Sequence, residues 1–295
     1  MRRESGLKRI IIYFVIMVLL LFFPLKLLAE NESARLFIEE RMVERGLERS
    51  HAHSLLIDPR ISIQPDIVIM NLFYSSPRGT EEQPSIMQIS PQAIEEGKEF
   101  INENRESLTA VEKRFGTSPR IITAILIVES KLGKYPMRYD VVTAYFNLGL
   151  LLDSAYLSEL QQSNGEKYPL LYDKAKIKRA RTKARWALDE LYHLVHIAAE
   201  LNIDPLSMKG SFSGALGPAQ FIPSTFRAYG IDANEDGICD PFDMVDAKAS
   251  IGNYLKSFGW SEDAPLKIKR NALWHYNQSQ VYVNTIMMLY DELGK

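Results

Sequence analysis

A mainly α-helical protein is predicted by three features of the 295-residue chain. Apolar residues recur at helical spacing along most of it, Ser, Pro and Gly stand where helices should start and stop, and no convincing alternating run of the strand type is present. With 46% hydrophobic and 10% aromatic residues, the chain can bury a substantial core in one large or two unequal domains. There is no internal repeat.

Taken in order, residues 33–47 place Leu36, Phe37, Met42, Val43 and Leu47 near helical spacing and predict a short amphipathic helix. Residues 73–83 hold Ser, Pro, Gly and Thr in quick succession and read as a connecting loop. Residues 91–115 are charged and amphipathic, with Ala93, Phe100, Ile101, Leu108 and Val111 inward. Ser118 then offers an N-cap oxygen and Pro119 suits the first helical position. The helix that follows, 119–132, is apolar around its whole circumference, and Gly133 is placed to end it. It should be a buried central helix. Residues 171–201 form a long helical stretch with Trp186, Leu188, Leu191, Leu194 and Val195 toward the core, and further helices are expected over 218–228, 243–258 and 279–293.

The N-terminus carries Arg2, Arg3, Lys8 and Arg9, then an apolar run over 10–23, Pro24, and Leu27-Leu28-Ala29 before Glu30. This is the layout of a secretory signal over residues 1–29, with Ala29 the last residue before cleavage. The run is roughly 14 residues, short of the ~20 a spanning helix needs, although Leu25, Leu27 and Leu28 could extend it into an uncleaved anchor. Either way the protein should be exported, and an uncleaved run would tether it to the inner membrane. No cysteine lies near the cleavage region to carry a lipid, and the lone Cys239 allows no intrachain disulfide. A formal charge of −2 gives no overall basic field for nucleic acid.

Glu129 is the leading candidate for chemistry. In the last turn of an apolar helix, desolvation and the negative end of the helix dipole both disfavour the carboxylate and raise its pKa, as a general acid requires. The bland alternative is a solvated Glu paired with Lys131 or Lys134. Residues 210–226 form a glycine-rich run in which Gly214 and Gly217 permit tight turns. The loop 232–243 follows at once. Against the twelve-residue calcium pattern, Asp232, Asn234, Asp236, the Ile238 carbonyl, Asp240 and Asp243 fill the ligand places and Gly237 the glycine place. Asp at the last place reaches less far than the usual Glu, which argues for modest affinity or another ligand nearby. An Asp/Asn-rich turn that caps the next helix, or holds sodium, remains open. Cys239 fits a buried structural thiol better than a nucleophile.

Val128-Glu129-Ser130-Lys131-Leu132-Gly133 resembles the catalytic Glu segment of lytic murein transglycosylases of the membrane-bound B type, glycoside hydrolase family 103. The 210–226 run is similar to that family's second motif and 274–283, Trp-His-Tyr-Asn-Gln-Ser-Gln-Val-Tyr-Val, to its third. The motifs stand in the family's order, within a resemblance over about 89–293. It implies a lysozyme-like catalytic domain over 89–295 carrying an EF-hand-like calcium loop, after a small helical segment and loop over 30–88. The implied activity is periplasmic cleavage of the β-1,4 MurNAc–GlcNAc bond of peptidoglycan. The muramic C6 hydroxyl attacks its own C1, giving a 1,6-anhydro product, with Glu129 as acid and then base.

By the same resemblance Ser211, Gln220, Tyr276, Asn277 and Tyr282 fall on the family's cleft positions. A calcium ion, with no redox role and with the chemistry supplied by Glu129, would be structural. Asp140 and Asp153 lie outside the matching motifs, so no second catalytic carboxylate is marked. Where the family carries a pair of arginines suited to the peptide stem's carboxylates, this chain has Asp153, Ser154 and Ala155. The glycan strand is the expected partner, and a monomer the expected state. The rival readings are a hydrolytic muramidase and a non-catalytic peptidoglycan-binding protein.

Overall fold

The computed structural model describes residues 32–74 and 86–295. The signal or anchor expected over 1–29, and most of the loop expected at 73–83, lie outside the described residues. Among the described residues the chain is mainly helical with almost no sheet, as expected. The one small sheet pairs two-residue strands, β1 (Tyr139–Asp140) and β2 (Lys209–Gly210), antiparallel with Tyr139 opposite Gly210. No helix of the described residues is long and apolar enough to cross a membrane.

The chain clusters into two compact units. The first joins the segment ending at Pro65 to Phe146–Leu188; the second joins Asp66–Tyr145 to Asp189–Lys295. The first is therefore discontinuous in sequence, which a linear division at residue 88 does not contain. It holds α1 (32–43), α2 (Arg49–Leu56), α8 (Ser154–Asn164) and the first half of α9 (Lys174–Glu200). Ile38, Met42, Leu56, Leu150, Leu151 and Leu188 are buried in its core. Polar groups bind its two segments: the Asn147 carboxamide accepts from the Gln64 amide at 2.5 Å and donates to the Ser62 carbonyl at 2.9 Å. The Arg35 guanidinium donates to the carbonyls of Leu56, Asp58 and Ile61.

The second unit is organised around α6 (Pro119–Ser130), whose residues from Ile121 to Ile127 are all buried. Against it pack α4 (Pro91–Glu103), α5 (Arg105–Phe115), α11 (Met244–Ser257) and α13 (Gln280–Glu292). The short helices α3 (Pro65–Ile69), α7 (Val141–Gly149), α10 (Pro223–Tyr229) and α12 (Leu266–Tyr276) complete the set. Asp243 caps α11 through the amides of Val245 and Asp246, and Ser279 caps α13 through that of Tyr282. Ser118 occupies the N-cap place before α6, but its side chain makes no capping bond.

The helical stretch read over 91–115 is two helices broken at Asn104, where φ is −104° and ψ 20°. The break serves a buried cation. Lys248, 1% exposed on α11, donates to Asn104 Oδ1 at 2.7 Å and Ser107 Oγ at 2.6 Å, and burial pushes its ammonium pKa down. Nearby, Gly252 lets α11 and α5 meet closely: an added Cβ would lie 2.6 Å from Val111 Cγ1 and 2.9 Å from Thr117 Oγ1, both on stiff β-branched side chains. Gly252→Ala should therefore destabilise the protein by about 1–2 kcal/mol in urea unfolding, overpacking outweighing the better helix propensity of Ala.

Candidate active site

α6 delivers Glu129 at its C-terminal end. The next residues, Lys131 and Leu132, take left-handed backbone at φ 50° and 59°, and Gly133 follows at 81°. The turn closes through the Leu132 amide on the Leu126 carbonyl at 2.9 Å and the Gly133 amide on Ser130 Oγ at 3.0 Å. Two successive non-glycine residues in this region are costly, and such strain gathers at functional sites. Gly133, read as the helix stop, is the third left-handed residue of that turn.

Glu129 is half-buried as a residue, and the protein packed around its carboxyl desolvates the charged form. Burial pushes its pKa up from the ordinary 4.5 to about 7, opposed only by the Tyr282 hydroxyl. Tyr282, 1% exposed on α13, faces the carboxyl, and Glu129 in turn helps to raise the tyrosine's own pKa. The contact is loose, because the Tyr282 hydroxyl closes no hydrogen bond of ordinary geometry. No second carboxylate among the described residues shifts Glu129.

The third motif and the glycine-rich run converge beside this pair. The rings of Tyr276 and Tyr282 stack at 6.2 Å and 14°, and the Tyr276 hydroxyl donates to the Ala219 carbonyl at 2.6 Å. The adjacent Gln220 is left-handed, φ 52°, and its side-chain amide donates to the Gly217 carbonyl at 2.9 Å. This is why the helix read over 218–228 starts only at Pro223: residues 217–220 form a tight turn closed by the Leu216–Phe221 bridge instead. Ser211 Oγ accepts the amides of Ser213 at 3.3 Å and Ala215 at 3.0 Å, which commits it to shaping its own loop. Asn277 stands exposed at the C-terminus of α12.

Several residues that hold this loop carry no motif signal. Asn71, buried in the π-helical turn Met70–Tyr74, donates to the Phe212 carbonyl at 2.9 Å and accepts from Ser213 Oγ at 3.0 Å. The buried Tyr145 donates to the Gly214 carbonyl at 3.0 Å, and a Cβ on Gly214 would fall 2.2 Å from its ring. Glu190 accepts from the Ser224 amide at 2.8 Å and hydroxyl at 2.7 Å. Gly217 presses on the 232–243 loop: a Cβ there would lie 1.7 Å from the Pro241 carbonyl oxygen.

That loop is oxygen-rich and folded on itself. Asp232 Oδ2 accepts the Gly237 amide, Asn234 Oδ1 the Asp236 amide, Asp236 Oδ1 the Ile238 amide and Asp240 Oδ1 the Phe242 amide. Asp232 Oδ1 is buried without a hydrogen-bond partner, an orphan acceptor of the kind a hard cation satisfies. Among the described residues no three His, Cys, Asp or Glu side chains gather as a metal cluster. The pattern missed Asp246. Fully buried on α11, it accepts the amides of Ala233 and Asp240, both at 2.8 Å, and so spans the loop. Cys239 is half-buried, and burial, followed by the carboxylates around it, pushes its thiol up to about 12, consistent with a structural thiol.

Against known proteins, residues 30–272 match the transglycosylase SLT domain family. The chain is 25% identical over 253 residues to membrane-bound lytic murein transglycosylase B of Escherichia coli; the match covers 82% of this chain and 62% of that protein. Its fold is similar to the soluble lytic transglycosylase SltB1 of Pseudomonas aeruginosa, with a TM-score of 0.69 at 22% identity over 89% of this chain and 98% of the other. It is also similar to the Escherichia coli lytic transglycosylase Slt35 in complex with calcium, with a TM-score of 0.66 at 21% identity over 88% and 92%. A family-model match over most of its length, on a helical fold shared with known transglycosylases, means that the chain belongs to the transglycosylase SLT domain family.

Proposed function

We propose that this protein is an exported lytic transglycosylase that cleaves the MurNAc–GlcNAc bond of peptidoglycan and leaves a 1,6-anhydromuramic end, with Glu129 as the single acid and base. The observation that carries this reading is a carboxyl whose proton is retained to about pH 7 by burial alone. In that state it protonates the leaving glycosidic oxygen; as the carboxylate it then takes the proton of the muramic C6 hydroxyl as that oxygen closes on C1. One group returns to its starting form with no water consumed, and the fact that no other carboxylate among the described residues shifts Glu129 supports this over the two-carboxylate scheme of hydrolysis. The Tyr282 hydroxyl, facing the carboxyl, favours its charged form, the one needed in the base step. Gln220, Tyr276 and Asn277 offer the neutral donors, acceptors and ring faces that acetamido sugars need, and Ser211 shapes the loop that carries them.

A calcium ion in the 232–243 loop would be structural, held by Asp232, Asn234, Asp236, the Ile238 carbonyl, Asp240 and Asp243. The all-oxygen donor set and the orphan Asp232 Oδ1 support it. Asp243 also caps α11, and Asp246 braces the loop by accepting the amides of Ala233 and Asp240.

Digestion of purified sacculi followed by mass spectrometry should yield muropeptides lighter by one water per cleavage; reducing muramic ends alone would identify a hydrolase. Glu129→Gln should fold, retain glycan binding and lose about 10²–10⁴-fold in turnover, an unaltered rate removing Glu129 from its role.

The acid form is the working form, so kcat/KM should decline above about pH 7. Stability carries the same signature. With a folded pKa near 7 and an ordinary one of 4.5, the folded state holds the extra proton between those values. Unfolding free energy should thus fall by up to about 3 kcal/mol as pH rises through that window. In urea titrations at pH 4.5 and 8, Glu129→Gln should lack that decline.

Thermal melting with added calcium should rise by mass action, by about 2.7 kcal/mol of stability at a hundredfold excess over Kd. The rise should vanish in Asp232→Ala/Asp236→Ala; an unshifted melt at millimolar calcium would remove the ion.

A further inference from the structure

The first half of α9 is charged in a way the catalytic reading does not use. Residues 174–185 hold seven Lys and Arg, and no Asp or Glu occurs before Asp189, in a chain of net charge −2. Lys174, Lys178, Arg181 and Arg185 are all exposed. At 100° per residue they fall within about 60° of one another, in a row about 16 Å long. The buried Ala180, Ala184 and Ala187 point roughly 90–150° away from the middle of that row. Among the described residues no carboxylate pairs with any of these four cations, although ion pairs close elsewhere on the surface, as between Arg41 and Glu44 or Lys134 and Glu96. Like charges one turn apart repel, so an unpaired row of this kind is stabilised by an anionic partner.

We propose that this face of α9 docks on an anionic phospholipid bilayer. The row is straight, lies along a single helix and faces out, which suits a plane of headgroup charge; one carboxylate ligand would instead call for a cleft with converging donors. At its edge Trp186 is half-buried, and with Ala175, Arg179 and Thr182 it lines a shallow dish where an aromatic ring can sit at headgroup depth. The basic and apolar N-terminal run of the sequence would bring the protein to the same surface. The inference concerns location and stands apart from the chemistry at Glu129.

The test is flotation of the full chain with vesicles of phosphatidylcholine alone or with phosphatidylglycerol, comparing wild type with Lys178→Glu/Arg181→Glu and, as a control of equal charge, Lys113→Glu/Lys267→Glu. Each cation near an anionic surface is worth about a fivefold change in partition. The α9 variant should therefore lose at least about 25-fold on anionic vesicles, with a matching loss of salt sensitivity, while the control keeps most of its binding. All four positions are exposed, and melting temperature checks that each variant is folded. Equal losses in the two variants, or wild-type binding indifferent to phosphatidylglycerol, would overturn the proposal. So would a loss seen only on purified sacculi, which would assign the row to the cell-wall polymer. Product formation from sacculi, read on the same variants, should persist, which separates failure of the docking from failure of the enzyme assignment.

Discussion

Removal of water from one carboxyl group is the constraint on which the rest of this architecture turns. Keeping Glu129 protonated near neutrality needs low-polarity surroundings, which α6 supplies by being apolar on every side and enclosed by four other helices. Access is the opposing demand, and the end of a helix satisfies both: the backbone is spent there, and the side chain can emerge at the boundary of the core. The left-handed turn at Lys131 and Leu132 redirects the chain as soon as the carboxyl has been delivered.

The sequence was most legible where local chemistry decides structure. The apolar girdle of α6, the capping role of Asp243 and the extents of α9, α11 and α13 could be read from periodicity and caps. Glu129, Tyr276 and Tyr282 came from motifs and are found side by side. Less legible were α2, α3, α7, α8 and α12, which are short or, like α7 with its run Val-Val-Thr-Ala-Tyr-Phe, too uniformly apolar to show a period. The break at Asn104 was hidden because its cause, the amine of Lys248, arrives from 144 residues away. Asn71 and Tyr145 were invisible for the same reason: an Asn and a Tyr become supports only when a distant loop is folded onto them.

The glycine-rich run and the acidic loop behave as one piece. Gly217 admits the Pro241 carbonyl where any side chain would collide, and Asp246 grips the loop from both ends while itself buried on α11. Order in the loop is thereby passed by direct contact to the turn that carries Gln220, and through the Ala219 carbonyl to the Tyr276 hydroxyl. The tyrosine pair that flanks the carboxyl thus rests, two contacts away, on how firmly the acidic loop is closed.

The discontinuous make-up of the first unit bears on how the chain is born. Its leading helices are synthesised early, but the segment that completes their core begins at Phe146, after residues 66–145 have been added. At ordinary ribosomal pace that is a wait of roughly 4–16 s, during which Ile38, Met42 and Leu56 have no partner from the later segment to cover them. Until then the apolar faces of the leading helices remain uncovered by the segment that completes their core.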